Sequence, residues 1–289
     1  MLMRPDRKAI ETIVRMALME DAPWGDVTSQ FLLPADARIS AQLVAREKGV
    51  LCGEDIFTTA MSMTGEVAIE FAVRDGEHFA KGDVIAVVGG QAQIVLQAER
   101  VALNFIQRLS GIATVTAQYV AETAGTKARI VDTRKTTPGL RLLERYAVRC
   151  GGGHNHRFSL SDAVMAKDNH LAVLTHSGTG NLTEQLRSGF ARLPHTTHVE
   201  VEVDHPEQIE AVLAAGVDTI MLDNFTIEEL RAGVQQIAGR ALVEASGSVR
   251  LDRVREISAT GVDVISVGAL THSARALDLG LDYRPIAAT

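Results

Sequence analysis

Val199-Glu200-Val201-Glu202-Val203 begins a series of four short apolar segments that recur at nearly constant spacing. The other three are 220–224, 242–246 and 264–268, so the starts lie 21, 22 and 22 residues apart. Amphipathic stretches fill the intervals, and their periodicity predicts helices over 206–215, 227–237 and 251–259. Buried strands that alternate with helices in this way indicate parallel β/α units with right-handed crossovers.

Two earlier segments, 129–133 and 163–167, carry the same strand signature. The total is six strands, two fewer than in a complete (β/α)8 barrel. We therefore expect an incomplete barrel, or a barrel with a strand that this pattern does not reveal. Gly216 and Gly261 follow the first and third predicted helices, where a glycine is the expected C-cap.

Polar side chains stand at the carboxyl ends of these strands, which is the edge where parallel α/β folds bind ligands. They are Arg134, Lys135, Lys167, Glu202, Asp223, Ser246 and Ser266. Strand alternation also places Glu200, Glu202 and Asp204 on one side of their strand. That side is either a solvated face or, inside a barrel, a set of inward carboxylates that need a cation.

The segment 132–157 is cationic in an otherwise acidic chain. It holds six Lys or Arg against two acids, a local charge of +4, whereas the chain carries −7. This contrast predicts a local anion site. Arg141, Arg145 and Arg149, spaced by four, predict one exposed helix face. His154 and His156 are poor evidence for a metal site, and no Gly-x-Ser-x-Gly motif indicates a serine hydrolase.

The first half of the chain differs in kind. Its patterns predict a helix over 1–21, half-buried strands over 37–46 and 66–73, and one long helix over 97–123 that contains a domain boundary. The segment 75–88 resembles the turn-rich sheet of lipoyl and biotinyl carriers. Lys81, however, lies in a Lys-Gly-Asp turn without flanking methionines, so a structural sheet is favoured.

Composition narrows the class of protein. The chain has 289 residues, of which 46% are hydrophobic and 22% charged, typical of a soluble globular protein. Its charged N-terminus fits neither a signal peptide nor a membrane span. Cys52 and Cys150 are expected to be reduced, buried thiols, which indicates the cytoplasm. An isoelectric point near 5.7 argues against nucleic acid as the main partner.

A set of motifs, in order, carries a family resemblance. They are 20–29 (EDAPWGDVTS), 99–104 (ERVALN), 110–114 (SGIAT), 132–136 (DTRKT), His156-Arg157, 167–170 (KDNH), 222–224 (LDN), 244–247 (EASG) and 266–268 (SVG). Each motif alone is weak, but the ordered set is specific. The chain resembles the bacterial quinolinate phosphoribosyltransferase family, also called nicotinate-nucleotide diphosphorylase (carboxylating), over nearly its whole length.

The resemblance implies an α/β fold with an N-terminal α/β sandwich domain over 1–112. It further implies an incomplete α/β barrel of the type II phosphoribosyltransferase kind over 113–270, and a C-terminal segment, 271–289, that packs back on the first domain. The implied activity transfers phosphoribosyl from phosphoribosyl pyrophosphate to quinolinate with decarboxylation, using Mg²⁺. A homodimer is implied, in which Arg100 reaches the site of the partner subunit.

The resemblance also assigns residues. Arg134, His156, Arg157 and Lys167 hold the two carboxylates of quinolinate. Lys135, Lys167, Glu202 and Asp223 surround phosphoribosyl pyrophosphate and are the implied catalytic residues. Of these, Glu202 and Asp223 act on the metal indirectly, through Mg²⁺-phosphoribosyl pyrophosphate. Thr136 joins the substrate-binding set, and Ser246, Gly247, Ser248 and Gly268 form the 5′-phosphate cradle. Many members have glycine where this chain has Ser248.

Two alternatives stay open at this point. Related sequences accompany molybdenum-transport genes and need not use quinolinate. A non-catalytic phosphate-metabolite sensor could use the same barrel. The complete cationic set favours the enzyme over both; it comprises Arg134, Lys135, His156, Arg157 and Lys167.

Overall fold

A computed structural model of the chain describes residues 4–177 and 181–285. The helices are α1 (Arg7–Asp21), α2 (Val27–Leu32), α3 (Glu54–Ser62), α4 (Ala92–Ala121), α5 (Arg141–Cys150), α6 (Asp168–Ser177), α7 (Leu182–Phe190), α8 (Ile209–Ala215), α9 (Ile227–Ile237), α10 (Leu251–Ser258) and α11 (Ala269–His272). The strands are β1 (Arg38–Ala45), β2 (Gly49–Val50), β3 (Val67–Phe71), β4 (His78–Phe79), β5 (Val84–Gln91), β6 (Arg129–Val131), β7 (Val164–Ala166), β8 (Val199–Val203), β9 (Thr219–Asp223), β10 (Leu242–Ser246), β11 (Val264–Ser266) and β12 (Leu279–Pro285). The first three residues of the predicted helix over 1–21 and the last four of the segment 271–289 lie outside the described residues.

The chain divides into two compact units. Unit 1 comprises Met1–Ala117, Thr136–Gly152 and Thr271–Thr289, and unit 2 comprises Gln118–Lys135 and Gly153–Leu270. The predicted limits at 112 and 270 stay a prediction. The segment Thr136–Gly152, which that prediction assigned to the barrel domain, groups with unit 1.

Unit 1 contains an antiparallel sheet in the order β12-β1-β5-β3. The alternation predicted over 37–46 is present in β1, where Ala41, Leu43 and Ala45 are buried and the residues between them are partly exposed. Strand β12 pairs along the length of β1, so the C-terminal segment completes this sheet. The Asp6 carboxylate caps α1 by accepting from the Ala9 N–H at 3.1 Å.

A buried ion pair holds three segments of unit 1 together. The fully buried Glu144 of α5 accepts from Arg108 Nη2 of α4 at 2.9 Å and from Thr137 Oγ1 at 2.8 Å. Arg108 Nη1 also donates to the Ala274 carbonyl at 2.6 Å. Because removing one partner would leave a buried charge, this contact strongly favours α5 remaining with α4.

The arginine face of α5 differs from its prediction. Arg141, Arg145 and Arg149 do share one face, but all three are half-buried and not exposed. Arg141, for example, donates from Nε to Thr136 Oγ1 at 3.0 Å. The spacing of four identified the face correctly, and the prediction of solvent exposure was wrong.

Unit 2 contains a six-stranded sheet in the order β6-β11-β10-β9-β8-β7. All five strand pairs in it are parallel. The six strands match the six predicted segments, each to within two residues, which confirms the α/β class and the β/α repeat. Parallel order brings every carboxyl end to one edge of the sheet.

Helix ends in unit 2 follow local chemistry. Gly216 caps α8 with φ 85°, as predicted. Gly261 does not cap α10, because the cap residue is Ala259. The helix predicted from Pro206 opens with a 3-10 turn over Pro206–Gln208 before α8 begins.

Within the ranges described, helices that combine the length and apolar character needed to cross a bilayer are absent.

Candidate active site

The carboxyl ends of β7 and β8 bring together two predicted site residues. Lys167 Nζ contacts Glu202 Oε2 as an ion pair. The lysine side chain is 44% exposed and the glutamate side chain 12% exposed, so the pair lies at the rim of the sheet edge with the cation toward solvent. A partly exposed ammonium group held by one carboxylate is suited to meeting an anionic ligand.

The segment after β6 is fixed by Asp132, which is fully buried. Its carboxylate accepts from Asn155 Nδ2 at 2.5 Å and from the His156 N–H at 2.8 Å. Val131 and His154 also form a parallel bridge. These contacts hold the loop of residues 153–157, which carries His156 and Arg157, beside the end of β6.

His156 lies between two buried glutamates. Its Nε2 is 3.1 Å from Glu200 Oε2 and 3.5 Å from Glu244 Oε2, and both glutamates are 3% exposed. Burial lowers the pKa of His156, but the hydrogen bonds to Glu200 and Glu244 outweigh it and raise the pKa to about 10. The cluster therefore keeps its proton at neutral pH.

The position of that proton follows from the other ring nitrogen of His156. The Arg157 N–H donates to Nδ1 at 2.7 Å, so Nδ1 carries no proton and the imidazole proton is on Nε2, facing the carboxylates. The additional proton of the cluster then lies on the carboxylate side, with Glu200, whose pKa is raised by burial. A protonated Nε2 is a donor and not a metal ligand, which disfavours a metal ion among these three side chains. In this arrangement both ring nitrogens face protein groups.

Two guanidinium groups, Arg134 and Arg157, lie close enough to affect each other. Burial, and then the charge of Arg134, lower the pKa of Arg157. Arg157 Nη1 donates to the Ala163 carbonyl at 2.9 Å, which orients the side chain. Neighbouring like charges favour an anion between or beside them, so this pair is suited to binding an anion.

The carboxyl ends of β9 and β10 form a tight corner. Asp223 and Ser246 are opposite each other in the parallel register, and the Asn224 N–H donates to the Ser246 carbonyl at 3.0 Å. Gly247 has φ 92°, and a Cβ there would lie 2.2 Å from Asn224 Oδ1. A glycine is therefore required at 247 for both conformation and space.

Ser248, the departure from the family pattern, has φ 47°. Left-handed backbone at a residue with a Cβ costs about 1–2 kcal/mol, and glycine loses about 0.5–1 kcal/mol more chain entropy on folding. We expect Ser248→Gly to raise the free energy of unfolding by about 0.5–1 kcal/mol, measured by urea denaturation without ligands. Ser161→Gly is the matched control, since Ser161 is exposed and has negative φ. Equal destabilisation by both changes would contradict this account.

Arg100 and Thr136 belong to unit 1. Arg100 is exposed on α4, and Thr136 accepts from Arg141 through its hydroxyl. Gly268 lies two residues beyond β11, whose last residue, Ser266, is buried. Lys135 is exposed directly after Arg134. The roles assigned to these and the other site residues stay predictions.

Sequence reasoning offered Glu200 only as one of three carboxylates that would need a cation if they faced inward, and it gave no site role to Glu244. Each stands two residues before a predicted site residue, Glu202 and Ser246 respectively. Strand alternation places residues two apart on the same face, so this signal was available. It identifies the face but not the partner, His156, which lies in a loop.

Two family models match the chain. The N-terminal domain of quinolinate phosphoribosyl transferase matches residues 26–110, and the C-terminal domain of the same family matches residues 112–282. Together they cover nearly the whole chain.

Curated relatives and a solved structure agree with these models. The nicotinate-nucleotide pyrophosphorylase [carboxylating] of Mycobacterium leprae is 42% identical over 95% of this chain and 97% of its own length. The probable enzyme of that name from Bacillus subtilis is 40% identical over 94% of this chain and 93% of its own. The structure of nicotinate-nucleotide pyrophosphorylase from Francisella tularensis superposes with a TM-score of 0.90 at 35% identity, covering 98% and 99% of the two chains. The chain belongs to the quinolinate phosphoribosyltransferase family.

Proposed function

We propose that this protein transfers the phosphoribosyl group of phosphoribosyl pyrophosphate to quinolinate and releases CO₂, pyrophosphate and nicotinate mononucleotide. The observation that carries the proposal is the cationic loop edge of unit 2, where Arg134 and Arg157 are neighbours. Membership of the family supports the same reaction.

The charges suit quinolinate, which brings two carboxylates to the site. Guanidinium forks bind carboxylates bidentately, which assigns Arg134 and Arg157 to this substrate. Lys167, exposed at the rim on Glu202, supplies a further cation. The ring nitrogens of His156 contact the Arg157 N–H and the buried glutamates. To bind a carboxylate of quinolinate, the imidazole would have to give up one of these contacts. In the arrangement described, His156 orients the loop that presents Arg157.

Mg²⁺ fits the donors at the ends of β8 and β9. Glu202 and Asp223 offer carboxylate oxygens, the ligands that this ion prefers, and neither needs to bind it directly when the ion is carried by pyrophosphate. When bound, the ion would offset negative charge on the departing pyrophosphate. Lys135 supplies a point charge suited to phosphate, and Ser246, Gly247, Ser248 and Gly268 cradle the 5′-phosphate.

The chain need only position the two substrates and exclude water. Breaking the bond between the ribose C1′ and pyrophosphate builds positive charge on the ribose, and the pyridine nitrogen attacks C1′. The resulting pyridinium nitrogen lies next to the carbon that bears the 2-carboxylate, so it stabilises the carbanion left when CO₂ departs. That carbanion then takes up one proton, ultimately from solvent, to give nicotinate mononucleotide. Orientation and a fixed electrostatic field account for this chemistry without a covalent nucleophile.

We further propose that the protein works in the cytoplasm as a homodimer in which Arg100 enters the partner's site. Support for association comes from large apolar side chains exposed near the N-terminus of unit 1. They are Met16 (70%), Met19 (65%), Trp24 (89%), Phe31 (82%) and Leu32 (75%). An exposed group of this kind is typical of an interaction surface. A second copy of the chain is the proposed occupant.

The test is to mix the protein with quinolinate, phosphoribosyl pyrophosphate and Mg²⁺ and to measure CO₂ and nicotinate mononucleotide. Both products are expected in equal amounts, and nicotinate in place of quinolinate should give no CO₂. Binding of phosphoribosyl pyrophosphate without product would favour a sensor. Rejection of quinolinate with turnover of another acceptor would favour the molybdenum-associated relatives.

Asp223→Asn tests the metal-bound substrate. It removes one negative charge beside the proposed Mg²⁺-pyrophosphate while keeping the side-chain shape, so we expect affinity for phosphoribosyl pyrophosphate to fall by roughly tenfold or more. More Mg²⁺ should be needed for half-maximal rate, and Glu202→Gln should act in the same direction. Asp204→Asn, at an exposed carboxylate just beyond β8, is the control. An unchanged Mg²⁺ requirement in both site variants would remove these carboxylates from the proposal.

A further inference from the structure

A second cluster of ligand-type side chains lies in unit 1. The thiols of Cys52 and Cys150 and the carboxylate of Asp75 place one ligand atom each within 4.8 Å of one another. All three belong to segments of unit 1 that are far apart in sequence. They take no part in the transferase site proposed above.

We propose that Cys52, Asp75 and Cys150 form a binding site for a zinc ion. Zn–S bonds of about 2.3 Å place two thiolate sulfurs about 3.8 Å apart, a separation compatible with this cluster. Two sulfur ligands with one oxygen favour a soft ion over Mg²⁺, whose preferred ligands are all oxygen. A water molecule or an added side chain would complete four-coordination.

The Asp75 carboxylate is already oriented and still has capacity. Its Oδ1 accepts from the Gly53 N–H at 2.7 Å and from the Glu54 N–H at 3.2 Å, and its Oδ2 accepts from the Tyr146 hydroxyl at 2.9 Å. A carboxylate offers about four lone-pair sites, so three hydrogen bonds leave about one, on Oδ2, for a metal ion. Hydrogen bonds that orient a ligating carboxylate are typical of protein metal sites.

Both sulfurs stand on rigid backbone. The Cys52 N–H donates to Ser110 Oγ at 3.1 Å. Cys150 ends α5, and the next residue is Gly151, where a Cβ would lie 2.3 Å from the Ala113 carbonyl oxygen. Only glycine permits this close approach of α5 to α4. The two thiols are thus held together by the fold and do not depend on a mobile loop.

Cobalt is the probe, because thiolate–Co²⁺ bonds absorb in the near ultraviolet and tetrahedral Co²⁺ absorbs in the visible. Metal-free full-length protein titrated with Co²⁺ under anaerobic conditions should show both absorptions at one equivalent, and Zn²⁺ should abolish them. Cys52→Ser and Cys150→Ser should each lose the near-ultraviolet absorption. Tyr146→Phe, which removes only the hydrogen bond to Asp75, should weaken binding by about tenfold.

The control is the double variant Glu202→Gln, Asp223→Asn, which alters the proposed Mg²⁺ region and should keep the cobalt spectrum. Circular dichroism confirms that each variant is folded. Wild-type protein gives an independent measurement, since Zn²⁺ should slow alkylation of both thiols. Equal Co²⁺ affinity in wild type and Cys52→Ser, or alkylation rates indifferent to Zn²⁺, would overturn the proposal. A purified chain that is lighter by two hydrogen masses and has no free thiol after unfolding would also overturn it, because Cys52 and Cys150 would then form a disulfide.

Discussion

Replacing Arg134 by alanine is expected to weaken quinolinate binding by about 2–5 kcal/mol, the usual cost of removing one partner of a charge-assisted contact in a desolvated site. Arg134 follows β6 at the carboxyl edge of the unit 2 sheet, and its charge adds to the effect of burial in lowering the pKa of the neighbouring Arg157. Binding of phosphoribosyl pyrophosphate should change much less. Arg134→Lys keeps the charge but loses the two-pronged geometry, so its effect should be smaller than that of alanine.

Calorimetry with each ligand separately measures this selectivity. Arg129→Ala is the matched control, because Arg129 is exposed at the opposite end of the same strand. The control should bind both ligands as wild type does. If Arg134→Ala weakens the binding of both ligands equally, Arg134 contributes a general electrostatic field and does not bind the carboxylates of quinolinate directly.

The regular part of the fold was accessible from the sequence. Strands of a parallel sheet are buried on both faces, so their apolar runs stand out, and a spacing of 21 or 22 residues leaves room for one helix in each interval. The β8 and β10 ranges match their predictions, whereas Pro206 opens a 3-10 turn and Ala259, not Gly261, caps α10. Ends depend on a few hydrogen bonds that periodicity does not register.

Contacts between distant segments were not accessible. Arg108 and Glu144 are 36 residues apart, and nothing local to either residue marks the other as its partner. The amphipathic pattern of α5 predicts that one face is covered, but not which part of the chain covers it. This is why the arginine face of α5 was expected to be exposed, and why the sequence did not indicate that Thr136–Gly152 groups with unit 1.

The candidate site, too, was predictable from the sequence only in part. Strand periodicity placed Glu202, Asp223 and Ser246 at one edge of the sheet, and the family motifs gave them roles that stay predictions. The pairing of His156 with Glu200 and Glu244 needed coordinates, because it depends on how Asp132 folds the following loop. A sequence pattern reports which face a side chain occupies, while its protonation depends on neighbours from other segments.

Co-refolding two inactive variants should restore activity if Arg100 serves the partner's site. Arg100→Ala and Lys135→Ala chains are each expected to be almost inactive, since each lesion affects both sites of a homodimer. Random pairing gives about half heterodimers, each with one intact site and one doubly damaged site, so activity should return to roughly a quarter of wild type. Steady-state rates after mixing, denaturation and refolding measure it, with heterodimers quantified by two different affinity tags.

The informative control pairs Lys135→Ala with Lys167→Ala, two lesions in unit 2 of the same chain. Every site in that heterodimer carries one lesion, so no intact site can form and no activity should return, although the subunits mix equally well. Recovery confined to the Arg100 pairing therefore depends on where the arginine acts and not on refolding. If the Arg100 and Lys135 variants form heterodimers in the expected proportion and stay inactive, Arg100 acts within its own chain, or only in folding. The homodimer itself would stand in that case, because the subunits pair, but each active site would be complete within one chain and the two variants would have no site to share.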